Sequence, residues 1–161
     1  MSARQKGFSL IELLIVVAII LVIAAIAIPN LLRSRMAANE ASAVASLRTV
    51  NTSQVVYQSS YGGGYAPSLT DLSDGGTPAN CAPATTPTAT SACLIDSVLA
   101  SGSKAGYTFT YTPVAAGGLD TSYTLNGDPI GGTGQRHFFT DQTDVIRVNP
   151  TAPASATDPA I

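Results

Sequence analysis

From Phe8 to Ile28 the chain runs through 21 residues interrupted only by Ser9 and Glu12, and Pro29 comes directly after. A helix of that length, at about 1.5 Å per residue, spans roughly 31 Å, close to the ~30 Å hydrocarbon thickness of a bilayer. The stretch is therefore long enough to cross a membrane, and the remainder of the chain reads as cargo on a membrane-capable stem. Glu12 needs a reason to be there. An ionised carboxylate near the bilayer centre costs about 2.5 to 3.5 kcal/mol on insertion scales and less near an interface.

Two general readings fit the stretch. In a secretory signal, Arg4 and Lys6 supply the positive start and Ala25-Ile26-Ala27 a small-residue cleavage site. Against it stand Glu12 within the apolar region, a run longer than the usual ~7 to 15 residues, and Pro29 just behind the cut. A plain anchor explains the length but not Gly7-Phe8 or Glu12.

A third reading comes from Lys6-Gly7-Phe8-Ser9-Leu10-Ile11-Glu12-Leu13-Leu14-Ile15-Val16-Val17-Ala18-Ile19-Ile20, together with Ala24-Ala25-Ile26-Ala27-Ile28-Pro29-Asn30. These residues resemble the N-terminus of type IV pilins and of the pseudopilins of type II secretion. The resemblance implies that a prepilin peptidase cuts between Gly7 and Phe8, removing the leader 1–7 and leaving Phe8 as an N-methylated first residue. It also implies that Glu12, at the fifth mature position, meets the N-terminal amine of a neighbouring subunit during filament assembly. The physics agrees, because a buried carboxylate is tolerable when paired and costly when not. The plainer reading of Glu12 places its head in the polar layer at the membrane face. One departure stands out: the family often has glycine where this chain has Leu21, so any loosening of the helix centres on the kink at Pro29, which lacks the N–H that would bond the Ala25 carbonyl.

Behind a stem, 161 residues leave room for one compact head of about 100. Losing Arg4 and Lys6 with the leader leaves six basic against ten acidic side chains and moves the formal charge from −2 to −4. No strongly basic surface remains, which argues against nucleic-acid binding. Arg4 and Lys6 before the span are matched by Arg33 and Arg35 after it, so charge alone does not orient it. Cys81 and Cys93, the only cysteines, lie among turn-forming residues in a chain marked for export, and a disulfide is the expectation, contributing about 3 kcal/mol in the chain-entropy model. Two free thiols or a metal pair are the alternatives, and with His137 as the sole histidine a Cys/His zinc site is poorly supplied.

Asn30 to Ser60 has neither Pro nor Gly and is rich in helix formers, so one long helix is expected over 8–60, about 80 Å if straight. Leu32, Met36, Ala43, Leu47, Val50, Tyr57 and Tyr61 form an approximate stripe toward the head, with Gln54 as a polar exception. Arg33, Asn39, Glu40, Arg48 and Asn51 are placed toward water or neighbouring subunits. Asn51-Thr52-Ser53 fits a glycosylation sequon, but it lies in helix. Tyr61-Gly62-Gly63-Gly64 ends the helix. Tyr57, Tyr61 and Tyr65 are read as packing residues rather than as a relay for charge.

In the head, 61–149, short helical turns are expected at Ser68–Leu72 and Leu94–Ala100, with a Pro/Thr/Ala-rich surface loop at Ser73–Ala92. Tyr107-Thr108-Phe109-Thr110-Tyr111-Thr112 alternates aromatic with threonine and predicts a strand. Ser122–Asn126, Arg136–Thr140 and Val145–Val148 supply three more. Gly117-Gly118, Asn126-Gly127 with Gly131-Gly132, and Asp141–Asp144 are placed as the connections, and one sheet face is left wet. This order of strands also resembles the heads of many pilin-like proteins. Pro150 to Ile161 is rich in Pro, Ala and Thr and is expected to be a mobile tail.

Chemistry-bearing motifs are scarce. There is no phosphate loop, no Gly-x-Ser-x-Gly and no helix with two histidines, and His137 reads as a strand-edge residue. Asp71-x-x-Asp74-Gly and Asp141-x-x-Asp144 are the best calcium candidates. Neither has EF-hand spacing, and turn-forming aspartates account for both. The fold expectation is α+β: a long N-terminal hydrophobic stem helix packed by its C-terminal half on a small antiparallel sheet of about four strands. The functional expectation is a non-enzymatic filament subunit with no cofactor. It is held single-pass in a bacterial inner membrane and then assembled into a helical pilus at the cell surface. By resemblance the partners are prepilin peptidase, an inner-membrane assembly platform driven by a cytoplasmic ATPase, and other pilins. The alternatives are a periplasmic pseudopilin of type II secretion, a membrane-anchored exported binding or adhesion module, and, least favoured, a periplasmic enzyme.

Overall fold

A computed structural model describes residues 7–161. The leader residues 1–6, with Arg4 and Lys6, lie outside the described residues. Two compact units are present, one reaching Arg35 and the other comprising Met36–Ile161. Helix α1 (Leu10–Tyr61) contributes to both, and it continues through Pro29.

Within the second unit, α1 buries Ala43, Leu47, Val50, Gln54 and Tyr57, a stripe of alternating three- and four-residue steps. It joins a core with Leu69 and Leu72 of α2 (Leu69–Leu72), Leu99 and Ala100 of α3 (Ser97–Ala100), and the sheet residues Tyr107, Phe109, Leu125 and Phe138. Both short helices are capped as their sequences require. Ser68 Oγ accepts the N–H of Asp71, and Asp96 Oδ1 accepts that of Leu99. The expected stripe ends sooner than its pattern suggests: Leu32 is exposed and Met36 is only half-buried.

The sheet is an antiparallel meander of five strands in chain order, β1 (Ser103–Lys104), β2 (Tyr107–Ala116), β3 (Leu119–Pro129), β4 (His137–Asp141) and β5 (Arg147–Asn149). The two-residue β1 is the strand beyond the expected four. The strands β2 and β3 run further than expected because Ala116 pairs Leu119 across Gly117-Gly118. Both glycines have positive φ, the requirement of a type I′ hairpin turn, whose twist matches that of its strands. Asn126-Gly127, expected as part of a turn, lies instead inside β3. There Gly127 faces the core, packed beside Phe109 and Phe138.

Two residues expected on the wet side of the helix are buried. Glu40 Oε1 accepts the backbone N–H groups of Gln135 (2.9 Å) and Arg136 (3.3 Å), and its Oε2 takes the Arg136 Nε at 2.7 Å. Asn51 donates to Thr140 Oγ1 at 2.9 Å and accepts the Tyr123 hydroxyl at 3.1 Å. Gln54 bridges further. Its Oε1 accepts the Ala66 N–H at 2.9 Å, and its Nε2 donates to the Tyr111 hydroxyl at 2.8 Å, which donates on to the Ala66 carbonyl at 2.6 Å. Among the described residues no buried side-chain polar atom lacks a partner, which is the condition under which polar groups go inside.

The segment after Asn149, expected to be a mobile tail, folds back along the sheet. Arg147 pairs Ala160, the Val148 N–H donates to the Pro159 carbonyl, and the Ile161 N–H donates to that of Ile146. The Asp158 carboxylate takes Asn149 Nδ2 together with the N–H and hydroxyl of Ser155. Asn126 Nδ2 holds the Ala154 carbonyl at 2.8 Å. The physical reason lies in β4. Phe138 and Phe139 are adjacent and so point to opposite faces, yet both are buried. Phe139 pairs Asn126 on the outer face, where the segment around buried Ala154 lies, so that face is covered there and not wet.

Candidate functional site

The residues singled out for processing and assembly, Gly7, Phe8 and Glu12, lie at the start of α1 and just before it. Gly7 and Phe8 precede the helix in non-helical backbone. Phe8 is exposed, and space around Gly7 is open. Ser9 is the cap of α1: its carbonyl accepts the Leu13 N–H at 3.3 Å, and its own N–H donates to Glu12 Oε2 at 2.9 Å. Glu12 is thus the third residue of the helix reaching back over the first turn, half of a capping box, and it sits where the helix dipole favours a carboxylate. The Ser-x-x-Glu spacing carries that information, but it escapes any reading that weighs Glu12 only against the membrane and a neighbouring subunit.

Beyond Glu12 the apolar residues of the first unit find no cover. An 18-residue window of α1 reaches a mean hydropathy of 3.3, with none of it buried. Leu13, Ile20 and Ile26 illustrate this, each more than half exposed. So large an unpartnered apolar surface marks a membrane or protein contact. Pro29 sits within this helix, and one turn on the Ser34 hydroxyl donates to the Asn30 carbonyl at 3.0 Å.

In the second unit Cys81 and Cys93 are bonded, with their Cα atoms 5.6 Å apart. The bridge closes a loop that begins in the 3₁₀ turn Pro78–Cys81. The loop is also tied to α1, where the Tyr57 hydroxyl donates to the Ala89 carbonyl at 2.9 Å. His137 Nδ1 lies 2.6 Å from Asp128 Oδ1 across β3 and β4. Of the aspartates weighed as calcium ligands, Asp74 Oδ1 accepts the Gly76 N–H, Asp141 Oδ1 accepts the N–H and hydroxyl of Thr143, and Asp71 Oδ2 accepts the Ser68 hydroxyl. Among the described residues no three His, Cys, Asp or Glu side chains gather as a metal site.

Burial shifts several groups of the head. It raises Tyr107 to about 12 and pushes Tyr111 and Tyr123 higher still, so all three hydroxyls are permanent donors in their networks. For Glu40 burial pushes the same way, toward protonation, but the N–H groups of Gln135 and Arg136 and the Arg136 guanidinium outweigh it and hold the carboxyl below its ordinary value.

Residues 2–28 match the prokaryotic N-terminal methylation motif. The chain is 51% identical over 55 residues, 34% of its length, to the type IV wide pilus major component PilA4 of Thermus thermophilus. It is 47% identical over 53 residues, 33% of its length, to the type IV major pilin protein PilA of Myxococcus xanthus. The matched segments span 42% and 24% of those two proteins, less than half of either.

Proposed function

We propose that this chain is a structural subunit of a type IV pilus-like filament. The observation that carries this reading is the uncovered apolar helix from Leu10, headed by the exposed Gly7-Phe8 pair and holding Glu12 as the only charged residue before Arg33. The match to the methylation motif and the pilus components among its relatives support it, and those relatives favour the pilus over the secretion pseudopilus.

In this reading prepilin peptidase hydrolyses the Gly7–Phe8 bond while α1 is held single-pass in the inner membrane, and Phe8 becomes the N-methylated first residue. The new ammonium of one subunit takes the Glu12 carboxylate of another, displacing the Ser9 N–H that holds it within the chain. A charge pair in lipid or in a helix bundle exacts a large desolvation cost unless it is well formed, so the pairing fixes axial register. Pro29 is the point of give in the stem. The assembly platform and the other pilins supply the remaining contacts, and the fibre ends at the cell surface. No residue of the chain acts catalytically.

Intact mass and N-terminal sequencing of the natively expressed protein test the reading. A chain beginning at N-methylated Phe8 supports it. A chain beginning at Ile28 would identify an ordinary signal peptide, and one still beginning at Met1 a simple anchor; either would sink the proposal.

A further inference from the structure

The loop closed by the disulfide carries Pro83, Pro87 and four threonines, and residues 81–90 are all exposed. An exposed tract of Ser, Thr and Pro is, by composition, the kind that receives sugars on its hydroxyls in exported chains. The hydrogen bonds sort the four threonines. Thr85 Oγ1 donates to the carbonyls of Asn80 (2.6 Å) and Ala82 (2.7 Å), and Thr88 and Thr90 pair with each other at 3.3 Å. Thr86 alone among them has no bond to any described residue, through its hydroxyl or its backbone.

Pro87 directly after it disfavours helical backbone at Thr86 and keeps that residue extended. The disulfide and the Tyr57–Ala89 bond hold the loop in place around it. Beside Thr86 lies a cavity of about 400 Å³ lined by Asn80, Thr85, Thr86, Thr88, Thr90 and Ser91, polar and without a charge. That lining suits a neutral sugar, which has hydroxyls to share and no charge to neutralise. Of the other exposed threonines without side-chain partners, Thr77 has its backbone bonded on both sides, its N–H to the Asp74 carbonyl and its carbonyl to the Asn80 N–H, and Thr108, Thr110 and Thr112 stand on paired strand backbone.

We propose that Thr86 is an O-glycosylation acceptor, its first sugar lying in the Asn80–Ser91 groove. This rests on the reading that the chain is exported. A transferase would bring a sugar activated as its anomeric diphosphate. Thr86 Oγ attacks the anomeric carbon, the bond from that carbon to the phosphate oxygen breaks with its electron pair leaving on the diphosphate, and the hydroxyl proton passes to a base of the transferase. A nucleotide-linked donor would add one sugar, and a lipid-linked donor a preassembled oligosaccharide.

The test is mass spectrometry of the full chain from its native host, with the reduced tryptic peptide Thr49–Lys104 mapped by fragmentation. The expected result is an increment of whole sugar units on Thr86, kept in Thr86→Ser and Thr85→Ala and lost in Thr86→Ala; its size tells the two donors apart. A bare peptide, or an increment that survives Thr86→Ala, overturns the assignment. The two readings fail separately: a sugar on Thr86 of a chain still beginning at Met1 keeps the site and removes the processing argument, while a chain beginning at Phe8 with Thr86 bare does the reverse.

Discussion

Glu40 on α1 accepts the backbone N–H of Gln135 at 2.9 Å, across 95 positions of sequence, and through the same carboxylate holds Arg136 at the entry to β4. Gly134 makes the approach possible, since a side chain there would run into the Tyr107 hydroxyl. Removing the carboxylate strands two N–H groups, at a cost of about 1 to 3 kcal/mol for a buried group left unmade. Glu40→Ala is therefore expected to lower the stability of the head by that amount in denaturant titration of the detergent-solubilised chain. Arg136→Ala should cost less, because the guanidinium is half exposed.

The same pair sets a pH dependence. The Glu40 carboxyl is held below its ordinary value, so it stays ionised in the folded head after it would have protonated in the unfolded chain. A depressed carboxylate contributes stability that is fully present above the unfolded value and is lost as pH falls through the folded one. The thermal midpoint should thus decline as pH drops below the ordinary glutamate range, and Glu40→Gln should flatten that decline. An unchanged slope in the variant would remove Glu40 from the account.

Cys81→Ser with Cys93→Ser opens the loop between α2 and α3. The expected loss is about 3 kcal/mol in the chain-entropy model, read as a lower denaturation midpoint without a change of fold by circular dichroism. The bond to Tyr57 keeps part of the loop on α1, so amide exchange should rise most in residues 82–88 and least around Ala89.

Much of the head is legible because its rules are local. Alternation in Tyr107–Thr112, the Ser68 and Asp96 caps, and the three- and four-residue steps of Ala43, Leu47, Val50 and Tyr57 each point to one conformation and one face. Glu40 and Asn51 are misplaced by such rules because their partners, Gln135 and Thr140, are some ninety positions away, and a polar residue goes inside only when such a partner exists. The tail is misjudged on composition alone. The contrary sign is Phe138-Phe139: two neighbouring aromatics on a strand demand cover on both faces, and the segment after Asn149 supplies the second. At the stem, the apolar run and the Gly7-Phe8-Glu12 pattern are plain, whereas the Ser9–Glu12 cap requires reading the carboxylate as part of its own helix.

Phe139 and Ala154 test that cover. Ala154→Asp places a charge against the outer face beside Phe139 and should release the segment from Asn126. Exchange at Val148 and Ile161 is expected to rise toward the unprotected rate, with the core amides of β3 unchanged. Phe139→Ala should cost about 3 kcal/mol, the low end for a buried aromatic, since its surroundings can collapse.

Pro29 leaves the Ala25 carbonyl without its helical donor, so exchange in the detergent-solubilised chain should be fastest, within the stem, near Ile26–Asn30. Pro29→Ala restores the bond and removes a residue about 3 kcal/mol poorer than alanine in a helix interior. Slower exchange there, with less fibre per cell, is the expected pair of outcomes. Slower exchange with normal fibre would show that the stem does not need to give.

Glu12 has two duties in the proposed cycle, and two substitutions separate them. Glutamine at the third helical position still completes a capping box, so Glu12→Gln keeps the bond to Ser9 while losing the charge; Glu12→Ala loses both. If the charge recruits the neighbouring Phe8 ammonium, both variants stay in the membrane fraction and neither yields sheared fibre. Only Glu12→Ala should then fray the first turn, by about 1 kcal/mol of cap stability seen as faster exchange at Leu13. Normal fibre from Glu12→Gln would mean that the cap, and not the charge, is what assembly requires, and the register argument would fall.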